Sequence, residues 1–241
     1  NTEVCTRCGL CVADCPTGLL VMSDDGPITG KGGCISCGHC ISVCPTLALD
    51  SDLTPRKEQI DITQEPKLTP EQAELFLRSR RSIRNYQNKP VPAELIRKVL
   101  NVARMAPTAT NTQGISYIVV RDKQKLRRIA DLVLEWMHLA AKTAPIMRLY
   151  ARAAQAEVDK GKEYILRDAP ALVVAPTLGL GTCWAGFFEH AGEAEYEPLL
   201  ELLGVPEDKI IAGAILMGYP RVRYRNIVER QPLDVTFDTE E

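Results

Sequence analysis

The periodic pattern of apolar positions begins only at Glu71 of this 241-residue chain. Thr69-Pro70-Glu71 reads as an N-cap followed by proline at the first helical position, which predicts a short helix to about Arg80. Pro92 opens a second helix whose apolar residues Leu95, Ile96, Val99, Leu100 and Ala103 form a core-facing stripe. That helix must end before Pro107, because proline disfavours helical backbone in the residue preceding it. Ser116–Val120 (SYIVV) is predicted as a strand, residues 123–159 as mostly helical with a break at Ala144-Pro145, and Ala171–Ala175 and Ile211–Met217 as two further strands. Strands separated by long helices predict an α+β or α/β domain over residues 71–241. Residues 51–70, with three prolines, many charges and little apolar periodicity, read as an extended linker, which leaves residues 1–50 as a separate N-terminal domain.

Composition narrows the class. At 45% apolar and 25% charged residues, the chain is neither disordered nor fibrous. Its 29 Lys and Arg nearly cancel its 31 Asp and Glu, so no bulk field attracts nucleic acid or anionic lipid, and neither is expected as a partner. No apolar run reaches the ~20 residues of a membrane span and no secretory signal is visible, so a cytoplasmic location is expected.

Eight of the nine cysteines fall within the first 44 residues. They form an internal repeat: Cys5-x2-Cys8-x2-Cys11-x3-Cys15-Pro16 recurs as Cys34-x2-Cys37-x2-Cys40-x3-Cys44-Pro45. This is the bacterial ferredoxin run, in which the fourth cysteine of each run ligates the other run's cluster. One 4Fe–4S cluster is therefore assigned to Cys5, Cys8, Cys11 and Cys44, and a second to Cys34, Cys37, Cys40 and Cys15. Two structural zinc sites are the competing assignment, but zinc ribbons pair CxxC units and do not double a triple run ending in Cys-Pro. Small residues between the ligands (Gly9, Ser36, Gly38) allow backbone N–H groups to approach the cluster sulfurs. His39 reads as a solvated loop residue, and the ninth cysteine, Cys183, as a small core residue. A module of this kind carries single electrons and catalyses nothing by itself.

Residues 75–93 hold five basic residues and no acidic ones, with Arg80-Arg81-Ser82-Ile83-Arg84 just after a predicted helix. Guanidinium forks and a hydroxyl suit a phosphate and the carbonyl edge of a planar ring. A second basic cluster holds Arg221, Arg223, Arg225 and Arg230. No strand–GxGxxG–helix unit is present, so the dinucleotide fingerprint is excluded.

Beyond residue 70 the chain resembles the FMN-dependent nitroreductase family. The resemblance rests on RRSIRNY (80–86), APTATNTQ (106–113), RDAP (167–170), LGLGTCWAGF (178–187) and MGYP (217–220), in the family's order. It implies an α+β nitroreductase-like fold, with helices flanking a central antiparallel-type sheet and with FMN as cofactor. The front ferredoxin domain makes the whole similar to ferredoxin-linked nitroreductases. By resemblance, Arg80, Arg81 and Ser82 bind the FMN phosphate and ribityl chain, and Arg84 lies at the N1/O2 edge of the ring. Asn111 and Gln113 bond the flavin and its surroundings, Ala185 and Gly186 line it with the Gly186 N–H facing N5, and Arg230 binds phosphate, with Arg223 and Arg225 as lesser candidates. A cation at the N1/O2 edge stabilises the charge that develops on reduction. One departure stands out. Ala175 runs within two residues into Leu178, where the family has a loop and a helix, and a βα connection with its helix needs about a dozen residues. That helix is either deleted or outside this sequence.

The resulting expectation is an oxidoreductase. An external low-potential donor, reduced ferredoxin or similar, feeds two clusters and then FMN, which reduces a small electrophile such as a nitroaromatic, quinone or activated alkene. The alternative is an electron-transfer flavoprotein serving a protein partner; a zinc-dependent interaction module is the third class. Dehalogenase or flavin-destructase chemistry belongs to the same superfamily and is set by a pocket the sequence barely describes. His138, Glu189 and His190 all read more readily as structural residues than as proton donors. The resemblance also implies a homodimer with FMN at the interface.

Overall fold

Each half of the cysteine repeat builds the same short piece of structure. Gly9 at φ 81° turns the backbone left-handed and launches α1 (Leu10–Ala13); Gly38 at φ 72° does the same for α2 (His39–Ser42). Left-handed backbone is open to glycine without the Cβ penalty, so both helices can start abruptly between ligands. Only the first half continues into a hairpin, β1 (Leu20–Ser23) with β2 (Gly26–Thr29), antiparallel and closed by Asp24-Asp25. A single 3-10 turn at Arg56–Glu58 follows the second half.

The computed structural model describes residues 1–171, 181–222 and 226. They divide into two units: residues 1–67 together with 106–115, and residues 68–105 together with those from Ser116 onward. The division at 67/68 lies inside the expected linker, whereas the segment 106–115 goes with the cysteine unit.

In the second unit the cap expected at Thr69 is present. Thr69 Oγ1 accepts the Gln72 N–H at 3.2 Å while the Gln72 side chain accepts the Thr69 N–H at 3.0 Å, opening α3 (Pro70–Arg78). No residue of α3 is buried. The chain then runs extended to α4 (Ala93–Ala103), whose Ile96 and Val99 pack with Val91, Ala171 and Met217. Next come α5 (Lys123–Ala140) and α6 (Pro145–Val158), split at Ala144-Pro145 as expected. After β3 (Gly181–Trp184) come α7 (Gly186–Glu193), α8 (Glu197–Leu203) and β4 (Ile215–Gly218). The main core gathers Ile129, Val133 and Met137 of α5 against Ala154 of α6, Phe188 and Ala191 of α7, and Leu199 of α8.

Strands β3 and β4 pair antiparallel, Gly181 opposite Gly218 and Trp184 opposite Ile215. The predicted strand at Ile211–Met217 begins only at Ile215, because its partner ends at Trp184, where the chain turns into α7. The predicted strand at Ser116–Val120 does not form. No described strand pairs with it, and Tyr117 and Ile118 stay exposed at 40% and 43%. Of the predicted strand Ala171–Ala175, Ala171 bridges Met217 and the rest lies outside the described residues, as does the junction at Ala175-Pro176.

Candidate functional site

The cysteines of the repeat fall into two groups in space. Cys5, Cys8, Cys11 and Cys44 line one small cavity with Met22, Pro27, Ala48 and Leu49. Cys40 lies within electrostatic reach of Cys37, Cys15 and Cys34, the other four-cysteine set. Among the described residues no three Cys, His, Asp or Glu side chains approach closely enough to hold a single metal ion.

The sulfurs differ in their surroundings. Burial pushes the Cys11 thiol up, and burial together with the neighbouring Cys37 raises Cys40. The two cysteines that cross to the opposite set are held as thiolates more readily. The Leu20 N–H and the Thr17 hydroxyl lower Cys15 to about 7. Burial works against Cys44, yet the Ala48 N–H, at 3.2 Å from its sulfur, and the Thr46 hydroxyl outweigh it and leave the thiol lowered. Thr17 and Thr46 occupy the same place in each repeat, as Cys-Pro-Thr, with hydroxyls 3.6 and 3.8 Å from the sulfur. That matching Cys-Pro-Thr offset is visible in the sequence itself.

In the second unit the arginine segment runs beside β3. Ser82 bridges Thr182 in parallel, and the Ile83 N–H donates to the Thr182 carbonyl at 2.7 Å. Farther along, Gln87 N–H donates to the Tyr219 carbonyl at 2.8 Å and Arg221 N–H to the Asn85 carbonyl at 3.0 Å. Residues 82–87 are thus laced between β3 and the end of β4. Tyr86, buried at 4%, anchors the segment: its hydroxyl donates to the Ile83 carbonyl at 2.7 Å, and burial pushes its pKa up. With Ile83 and Tyr86 turned inward, Arg80, Arg81 and Arg84 lie exposed and Ser82 half-buried.

Strand β3 delivers the chain to Ala185-Gly186. The Ala185 N–H is occupied by the Ala214 carbonyl at 2.9 Å, so Ala185 offers no donor. Helix α7 then starts at Gly186 with no side-chain cap, leaving its first N–H groups as the donors of this corner. A Cβ on Gly186 would meet nothing nearer than the Trp184 ring at 3.8 Å, so a planar ligand can approach the backbone there. The donor set of arginines, a serine and a bare helix start suits a phosphorylated, partly anionic planar group.

The remaining expected residues fall as follows. Gln113 is exposed, and its N–H donates to Thr108 Oγ1 at 2.9 Å. Asn111 lies in the cysteine unit, and its side-chain amide donates to the Ile35 carbonyl at 2.8 Å and the Ser36 carbonyl at 2.9 Å. Arg223, Arg225 and Arg230 lie outside the described residues. His138 pairs with Gln155, His190 with Glu193, and Glu189 accepts the Trp184 indole N–H, all of them structural partners. Cys183 is buried near Tyr86.

A Nitroreductase family profile matches residues 77–177, and a 4Fe-4S dicluster domain profile matches residues 4–49. A putative NADH dehydrogenase/NAD(P)H nitroreductase of Archaeoglobus fulgidus is 32% identical over 149 residues, covering 59% of this chain and 82% of that protein. Two solved structures share the fold. A Bacteroides fragilis nitroreductase with bound FMN superposes with a TM-score of 0.51 at 20% identity, covering 67% of this chain and 96% of its own. A Desulfitobacterium hafniense nitroreductase with bound FMN gives 0.52 at 18%, covering 70% and 100%.

Proposed function

The chain belongs to the nitroreductase family of oxidoreductases, with a 4Fe–4S dicluster domain at its front, and from that premise we propose that it passes electrons from an external low-potential donor through two 4Fe–4S clusters to FMN, and thence to a small electrophile. The observation that carries this reading is the coexistence on one chain of two segregated four-cysteine sets and an arginine segment laced to the strand that ends at Gly186.

Cys5, Cys8, Cys11 and Cys44 would hold one cluster, and Cys15, Cys34, Cys37 and Cys40 the other. FMN supplies two-electron hydride chemistry and the clusters supply single electrons. The residues do the positioning. Arg80 and Arg81 would neutralise the phosphate, and Ser82 would bond the ribityl chain. Arg84 would place a fixed cation at the carbonyl edge of the ring, favouring its anionic reduced form. The Gly186 N–H, uncapped at the start of α7, would face the ring's N5. By the same resemblance Gln113 would offer its amide to the flavin, and Asn111 only its carbonyl oxygen, since both its N–H donors are engaged. Nitroaromatics, quinones and activated alkenes are the expected acceptors. In the homodimer we propose, the exposed apolar residues Leu75 and Leu77 of α3, at 60% and 71%, supply surface for a second copy. None of the described helices is long and apolar enough to cross a membrane.

A second donor is favoured by the names of the relatives: NAD(P)H acting directly at the flavin. Anaerobic purification with iron, sulfide and FMN assays tests the main reading, with about eight iron and one FMN per chain expected. Zinc in place of iron, or a chain that binds no flavin, refutes it. Stopped-flow mixing with reduced ferredoxin or NADH, followed by turnover of a nitrofuran without any protein partner, then separates the donors and the electron-transfer alternative.

A further inference from the structure

The two repeats hold their opening ligand loops by different means. In both, the residue before the second cysteine has left-handed backbone: Arg7 at φ 54° in Cys5-Thr6-Arg7-Cys8, and Ser36 at φ 54° in Cys34-Ile35-Ser36-Cys37. Neither is glycine, so the surroundings must hold the conformation. In the first repeat the loop holds itself, since Arg7 Nη1 donates to the Asp24 carbonyl in the hairpin turn at 2.7 Å. The second repeat has no hairpin. There the Asn111 amide, 76 and 75 positions away, donates to the Ile35 and Ser36 carbonyls at 2.8 and 2.9 Å. Both acceptors are carbonyls, so only the NH2 end of the amide can serve them, and both of its hydrogens are used.

One of these bonds reaches the ligand sulfur through a single rigid unit. The Ile35 carbonyl and the Ser36 N–H belong to the same planar peptide, so fixing the oxygen fixes the N–H direction. That N–H donates to Cys34 Sγ at 3.4 Å. A hydrogen bond to a ligating sulfur favours the more negative, reduced cluster and raises its potential.

We propose that Asn111 is a positioning residue for the iron–sulfur site of Cys15, Cys34, Cys37 and Cys40. It sets that site's reduction potential through the Ile35–Ser36 peptide and ties the segment 106–115 to it. This rests on the reading that the set holds a 4Fe–4S cluster, and it is independent of whether Asn111 Oδ1 also meets flavin.

The test is an anaerobic redox titration of the full chain, followed by electron paramagnetic resonance, for wild type, Asn111→Ala and Asn111→Asp. Aspartate keeps the shape but turns a carboxylate oxygen on two carbonyls. The expected result is that one of the two midpoints moves to more negative potential, further in N111D than in N111A, while the other midpoint holds, whether or not FMN per chain falls. Unchanged midpoints in both variants overturn the proposal, and so does loss of FMN with midpoints intact, which would make Asn111 a flavin ligand alone. Should the variants fail to take up clusters, hydrogen exchange on wild type decides the matter. With FMN removed and clusters retained, continued protection of 106–115 supports the tie and its loss overturns it. Iron and sulfide content of the wild type, measured first, separates failure of this inference from failure of the cluster reading.

Discussion

The two units are held together by different physics. Among the described residues, the cysteine unit buries only three apolar side chains, those of Cys11, Ile41 and Ala48, while the second unit buries a large apolar core and a smaller one around Val91, Ile96, Val99 and Met217. A segment with so small a core cannot offset its conformational entropy by burial alone and relies on cross-links. Metal–thiolate bonds are such cross-links, and their binding free energy is folding free energy. With the two clusters proposed above, the crossing cysteines Cys15 and Cys44 would pin the two halves of the repeat to each other, as disulfides do in a small secreted domain. The second unit needs no such clamp, because α6, α7 and α8 already pack apolar side chains against α5 in one buried core.

The strongest way to break this contrast is to take away the iron. Oxidative chelation, or Cys11→Ser at the buried ligand, is expected to abolish hydrogen-exchange protection across residues 1–67, while α5 and α6 keep theirs. Simultaneous loss in both units would show that they fold as one. The converse perturbation is Gly218→Ala. A Cβ there would lie 2.6 Å from the Tyr86 ring and 2.7 Å from Pro170, so overpacking should cost about 1–3 kcal/mol of second-unit stability in thermal melts. Iron per chain should stay unchanged.

A finer difference separates the two repeats. Three residues past the crossing cysteine, the first repeat has Gly18 at φ 63° and the second has Leu47 at φ 54°. Leu47 is kept there in part by Arg56, whose guanidinium donates to the Leu47 carbonyl. Leu47→Gly relieves the left-handed strain at some cost in unfolded-state entropy. It should leave iron content intact and slow iron loss to a chelator, with a gain of up to about 1 kcal/mol. Faster loss would mean that the exposed leucine side chain itself shields the site.

The smallest expected effect is electrostatic. Hydrogen bonds from Lys160 and Lys162 hold the Glu157 carboxyl down at about 2, from an ordinary 4.5. A depressed folded pKa stabilises the fold above the ordinary value, and that contribution is lost as pH falls from about 4.5 towards 2. The difference in second-unit melting between wild type and Glu157→Gln should therefore be small at neutral pH and vanish across that window, since the pair is solvent-screened.

Several elements were legible from local rules because their causes are local. Thr69-Pro70 with Gln72 at the third position builds the capping box of α3, and Pro145 divides α5 from α6. The α4 stripe places Ile96 and Val99 inside, as its period requires. Ser116–Val120 misled the pattern, since β-branched and aromatic residues favour extended backbone but cannot supply the neighbouring strand that makes a ladder. At the candidate site, the arginine cluster and its order along the chain were readable. That Ile83 and Tyr86 face inward, so that Arg80, Arg81 and Arg84 face out beside Thr182, depends on pairings that cross about a hundred residues or more.

Spacing in the first 45 residues marked out the doubled cysteine run and, through the ferredoxin pattern, which thiols are expected to belong together. Composition and apolar period determined that the rest would be a mixed helix-and-strand domain. What waited for the tertiary structure was which distant group completes each loop. No local rule leads from Asn111 to the carbonyls of Ile35 and Ser36, and nothing in the residues 106–115 marks them as part of the cysteine unit. Hydrogen bonds between remote segments are chosen by the packing of whole elements, and that packing is written in no single stretch of the chain.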